Sequence, residues 1–179
     1  MKRRRFLTLA AAGPLLAACQ PLAVRPDDTP LGPAPARFVL TGRLSLRQGS
    51  RQDHLGFDWE RAPGRDRILL LGPLGQGLAE LVRDERGAQL VRPGAPDETA
   101  PSLEELSLRI FGTALPLGEL GDWLRGARGV SGEVDGWRVA VVDVSPSGPR
   151  RLPRRLQVAR DDIVLVLLAD DWQAMEDAP

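Results

Sequence analysis

From Phe38 onward, polar and apolar residues take turns. Phe38, Leu40, Gly42, Leu44 and Leu46 fall on one side of an extended chain, and Thr41, Arg43, Ser45 and Arg47 on the other. That period of two predicts a half-buried strand. Residues 48–53 read as a polar turn. Leu55, Phe57 and Trp59 then alternate with Gly56, Asp58 and Glu60, the second strand of a hairpin. Residues 61–66 predict another turn, 68–71 a third strand, 77–83 a fourth and 88–92 a fifth. The period then lengthens. Ser102 followed by Glu105 is a capping box. Leu103, Leu106, Ile110 and Phe111 share one helical face, and Gly112 can end that helix. Leu117, Leu120, Trp123 and Leu124 mark a second short helix stopping near Gly126. Residues 137–144, 156–159 and 163–168 return to strand, the last two as a hairpin around Asp161-Asp162. Strands, two helices, then strands predict a mainly β (α+β) fold with an antiparallel sheet and the helices on one side.

Two places break the pattern. Gly72-Pro73-Leu74-Gly75 suits a type I turn, with Pro at the second position and Gly at the fourth. Turn tips sit in water and are usually polar, yet this one carries a leucine. Residues 163–168 (Ile-Val-Leu-Val-Leu-Leu) have no polar face at all. Either they form a strand covered on both sides, or they line a lipid-binding hollow. Leu40, Leu44, Leu46, Phe57, Trp59, Leu165 and Leu167 carry apolar bulk that strand alternation sends to one side, the lining such a hollow requires.

The first residues set the compartment. Lys2, Arg3, Arg4 and Arg5 precede an apolar stretch, residues 6–18, too short to span a bilayer stably. It ends in Leu16-Ala17-Ala18-Cys19, a lipobox, so residues 1–18 read as a lipoprotein signal peptide and Cys19 as the lipid-attachment site. Arg3-Arg4-x-Phe6-Leu7 also touches the twin-arginine export pattern. Residues 20–36 hold five prolines and little periodicity, so 19–36 read as a lipidated cysteine and tether. In polyproline geometry, at ~3.1 Å per residue, such a tether reaches roughly 50 Å. Gln20, where retention in the inner membrane favours Asp, points to the outer membrane. Residues 37–175 form the folded domain and 176–179 a tail.

Removing the first 18 of 179 residues takes away four of the 24 basic residues and none of the 24 acidic ones, leaving a net formal charge of −4. A mildly acidic chain offers no electrostatic case for nucleic acid. Cys19 is the only cysteine, which leaves no internal disulfide. His54, the only histidine, sits on the polar face of its strand, where a solvated side chain is the expectation. No metal-ligand spacing, nucleotide-binding glycine motif or catalytic triad can be assembled. Asp161-Asp162 and Asp170-Asp171 read as solvated carboxylates at turns or strand ends. Arg150, Arg151, Arg154 and Arg155 read as a solvated connection that could also meet lipid headgroups. The expectation is a protein that is not an enzyme and uses neither metal nor cofactor.

Thr41-Gly-Arg-Leu-Ser-Leu46, the Phe57-x-Trp59 pair, Leu69-Leu-Leu-Gly-Pro-Leu-Gly75 and Leu115-Pro-Leu-x-x-Leu-x-x-Trp-Leu-x-Gly126 occur in this order in the LolB family of outer-membrane lipoprotein receptors, which the chain resembles. The resemblance implies a half-open antiparallel β-barrel with a short helical lid over an apolar cavity. Leu106, Ile110, Leu120 and Trp123 would belong to the lid. It implies a monomer that takes lipoproteins from a LolA-like periplasmic carrier, binds their acyl chains and places them in the outer membrane. Pro73, Leu74 and Gly75 match the loop whose leucine that family needs for inserting cargo into membrane lipid. A buried leucine is worth ~1.5–3 kcal/mol, enough to orient a protein that acyl chains already anchor. With no nucleotide site, transfer has to run downhill from carrier to cavity to bilayer. A structural or assembly lipoprotein using the same sheet for protein contacts is the alternative.

Overall fold

The computed structural model describes residues 31–32, 35–145 and 151–174. The strands are β1 (Phe38–Gln48), β2 (Arg51–Ala62), β3 (Arg65–Leu71), β4 (Gly77–Asp84), β5 (Gly87–Val91), β6 (Glu98–Ala100), β7 (Ser131–Val134), β8 (Trp137–Val144), β9 (Pro153–Arg160) and β10 (Ile163–Ala174). They form one sheet in the order β6-β5-β4-β3-β2-β1-β10-β9-β8-β7. Two meanders are thus joined at β1–β10, whose long antiparallel pairing ties the chain's two halves together. The sheet stays open, with β6 and β7 as its edges. Edge strands of three and four residues limit the area on which another chain could pair.

Helices α1 (Leu103–Phe111) and α2 (Leu117–Leu124) fall between β6 and β7 in sequence. The chain must therefore cross from one sheet edge to the other, and it does so over the inner face. Ser102 caps α1 by accepting from the Glu105 backbone N–H at 3.3 Å, and Gly112 ends it in the left-handed conformation. The register settles which residues face the helices. Leu40 lies opposite Trp59, Gly42 opposite Phe57, Leu44 opposite both Leu55 and Leu167, and Leu46 opposite Leu165. Leu40, Leu44, Leu46, Phe57, Trp59, Leu165 and Leu167 belong to one buried apolar cluster that continues through Ile68, Leu70, Leu81 and Leu90 to the lid, with Leu55 packed against it.

The alternation was legible, but the strand ends were not. The hairpin turn after β1 is Gly49-Ser50 alone, and residues 51–53, expected in the turn, are already strand. Arg51 and Gln52 are exposed, so burial left no apolar mark there. Residues 65–66 are likewise strand rather than turn. β6 and β7 escaped notice because so few residues carry their pattern. β10 runs on through Asp170-Asp171, which lie inside a strand rather than at its end. The β1–β10 register shifts at this point, between Thr41 and Gly42. Asp161 does turn the last hairpin, with φ of 52°.

The expected tether ends before residue 36. Leu31 packs against the core, the Gly32 N–H donates to the Arg151 carbonyl at 2.8 Å, and the Pro35 carbonyl accepts from Arg125 at 3.4 Å. The signal peptide, Cys19, the rest of the tether and the tail at 176–179 lie outside the described residues. Among those residues, no helix is long and apolar enough to cross a membrane.

Candidate functional site

The inner face of β1, β2, β3, β4 and β10 and the underside of the lid enclose a wholly apolar space. Leu44, Phe57, Trp59, Leu165 and Leu167 line it from the sheet, joined by Ile68, Leu70 and Leu81. Phe111, Leu115 and Leu117 close it from the lid. Leu40 and Leu46 are fully buried but lie outside this lining. Leu106, Leu120 and Trp123 are buried lid residues, and Ile110 is half-buried. The free volume is about 20 Å³, room for roughly one water, which needs ~10–15 Å³ on the same measure. A wide hollow is therefore not what this structure holds. The space is filled, and three of the side chains that fill it belong to the lid.

The lid is held by polar contacts. Ser107 donates to the Glu104 carbonyl at 2.7 Å and accepts from the Leu115 N–H at 2.8 Å. The Gly118 N–H donates to Glu104 Oε1 at 3.0 Å. These bonds tie α1 and α2 into one piece. Arg61 on β2 then fastens that piece to the sheet. It donates to the Gly118 carbonyl at 2.9 Å and to Asp122 Oδ1 at 3.1 Å. A Cβ at Gly121 would occupy the space of this guanidinium, so only glycine lets Arg61 lie against α2. The Nη1 that reaches Gly118 also donates to Asp66 Oδ1 at 3.3 Å. Asp66 is fully buried and also accepts from Trp59 Nε1 at 2.9 Å and Arg83 Nε at 2.8 Å. Against this latch stands Trp123 Nε1, buried without a hydrogen-bond partner among the described residues. An unpaired buried donor costs about 1–3 kcal/mol. Sequence reading missed the latch because Arg61 and Asp66 looked like turn residues. A buried Asp between two arginines has no periodic signature.

The loop between β3 and β4 lies at the sheet's rim. The Gly75 N–H donates to the Gly72 carbonyl at 2.9 Å, closing the β-turn, and the Leu74 N–H donates to Gln76 Oε1 at 3.1 Å. The N–H groups of Leu74 and Gly75 thus both find partners within the loop. Leu74 is 93% exposed, the most exposed large apolar side chain among the described residues. His54 is exposed on the outer face, opposite Ser45. No group of histidine, cysteine, aspartate or glutamate that could hold a metal occurs among the described residues.

Residues 36–172 match the family model described as outer membrane lipoprotein LolB. The chain belongs to the LolB family. An outer-membrane lipoprotein LolB of Azoarcus sp. (strain BH72) is 30% identical, over 97% of this chain and 98% of its own. One from Nitrosomonas europaea is 34% identical, over 76% of this chain and 72% of its own. Among solved structures, a LolA superfamily protein of Nitrosomonas europaea aligns with a TM-score of 0.52 at 9% identity, covering 80% of this chain and 87% of its own. That likeness is one of fold: an open antiparallel sheet with helices on one face. LolB is a family of lipoproteins, not of enzymes.

Proposed function

We propose that this chain is an outer-membrane-anchored receptor that accepts lipoproteins from a LolA-like periplasmic carrier and inserts them into the outer membrane. The observation that carries this reading is an entirely apolar interior whose occupants are lid side chains. A core filled by the sheet alone could not be vacated without unfolding. Here, moving α1 and α2 as a unit withdraws Phe111, Leu115 and Leu117 and leaves an apolar trough on the sheet. An acyl chain can take their place. Sixteen carbons at ~0.8 kcal/mol each bring over 10 kcal/mol per chain, ample to offset the latch. Release then requires that the chain pass to the bilayer without crossing water, and Leu74 at the rim supplies the apolar contact. Acylation at Cys19 keeps the domain beside the membrane. Between Cys19 and the docked Leu31 run 11 residues, a reach of roughly 34 Å in polyproline geometry.

A fluorescent fatty-acid probe tests this on the mature protein. It should bind saturably and be displaced by a diacylated peptide. Asp122→Asn weakens the charged hydrogen bond to Arg61, worth about 1.5–3 kcal/mol when intact. The probe should therefore enter this variant roughly tenfold faster, at a loss of about 1–2 kcal/mol of stability. A protein that shows no saturable site, in wild type or variant, is a structural lipoprotein instead.

A further inference from the structure

Leu165 and Leu167 face the core, but their neighbours Val166 and Leu168 in β10 face the other way, where no described helix or strand lies over them. Val166 lies opposite Ser45, and Leu168 opposite both Arg43 and Arg155. Across β1, Arg43 lies opposite Gly56, which lies opposite Leu71. All of these side chains therefore share the sheet's outer face. They form a groove of about 680 Å³ whose far end is the Gly72–Gly75 loop. Its floor is aliphatic (Leu71, Val166 and Leu168, all half-buried), with the missing side chain of Gly56 deepening it. Its rim is basic: Arg43, His54 and Arg155, with no carboxylate in the lining.

The geometry points to a binding site for one anionic phospholipid, its aliphatic part on the floor and its phosphate between Arg43 and Arg155. This rests on the membrane-insertion reading of Leu74 and deepens it. Charge selects the ligand. The mature chain is acidic overall, yet the titratable side chains in this lining are Arg43, His54 and Arg155, with Asp170 paired to Arg43 just outside it. Arg43 is held by Asp170 at 2.7 and 2.8 Å, and that hydrogen bond keeps the Asp170 carboxyl below its ordinary range. Arg155 is exposed and has no acidic partner among the described residues. Shape favours a lipid over an acidic protein, because the apolar residues are recessed in a cleft of small-ligand size rather than spread on a flat patch. Position agrees: four strand spacings of ~4.8 Å separate β3 from β9, so the groove runs roughly 19 Å from the loop to Arg155. A lipid seated there would fix which way the loop meets the bilayer.

The test uses the mature acylated protein in phosphatidylcholine vesicles containing phosphatidylglycerol with a photoreactive group in one acyl chain. Peptide mapping should find label on Leu71, Val166 or Leu168, and on Leu74. Arg155→Gln should cut the groove label about fivefold, while Leu74, kept beside the bilayer by the acylated N-terminus, is still labelled. Label on Leu74 alone would overturn the groove and spare the insertion reading. Label at neither place would sink both. Equal groove labelling by photoreactive phosphatidylcholine would overturn recognition of the anionic headgroup. If the groove took no lipid but cross-linked to the periplasmic carrier, it would be a protein-docking surface and the proposal would fail.

Discussion

Leu74→Glu leaves the domain folded and cargo uptake intact, and it blocks delivery. The fold should not notice, because substitutions at exposed sites change stability by no more than ~0.5 kcal/mol and this side chain is 93% exposed. Uptake should not notice either, since Leu74 lies outside the lining of the interior. Delivery is different. On insertion scales, leucine enters the bilayer favourably while an acidic side chain is opposed by ~2.5–3.5 kcal/mol at the centre. Even half of that difference at the headgroup boundary lowers the inserted population by on the order of tenfold. The measurement separates two steps: transfer of acylated cargo from carrier to variant, and from variant to vesicles. Normal delivery would make the loop an ordinary turn. Lost uptake, or a melting point several degrees lower, would make Leu74 part of the core.

Asp66→Ala should be the most destabilising single change near the site. The carboxylate is fully buried and takes hydrogen bonds from Trp59, Arg61 and Arg83. Removing it leaves the Trp59 indole N–H and the Arg83 guanidinium without this acceptor, and Arg61 with Gly118 and Asp122 alone. Breaking one side of a buried charge cluster costs about 3–5 kcal/mol, a fall of roughly 10 °C in melting temperature for a domain of this size. Urea denaturation measures it directly. A loss under about 1 kcal/mol would mean that water reaches Arg61 and Arg83 readily, and the latch would be a surface ion pair of little consequence. The same variant loosens Arg61, so what remains folded should take up acyl probe faster.

The sequence showed the alternation of β1, β2 and β8 because one face of each is buried and the other is not. It showed α1 and α2 for the same reason, helped by the Ser102 cap. It concealed the ends of β2, β3 and β10, where charged residues occupy strand positions. Residues 163–168 allowed two readings, covered on both sides or lining a hollow. The structure takes neither as written: Leu165 and Leu167 are buried under the lid, while Val166 and Leu168 floor an open groove. Leu74 could be picked out because an apolar turn tip contradicts a local rule. The closed interior could not, because volume depends on how Phe111, Leu115 and Leu117 meet the sheet. Neither could the latch, which joins Arg61 to Gly118 and Asp122 across 57 and 61 residues of chain.

Cargo acyl chains should displace the lid and occupy the inner face of the sheet. This is tested by loading the mature protein with a lipoprotein that carries a photoreactive acyl chain, irradiating, and mapping the cross-links. The predicted adducts lie on Leu44, Phe57, Trp59, Leu165 and Leu167, with Arg61 no longer protected by α2. Adducts confined to Val166, Leu168 and the rest of the outer face, or a loaded protein in which Phe111, Leu115 and Leu117 stay packed on the sheet, would contradict it.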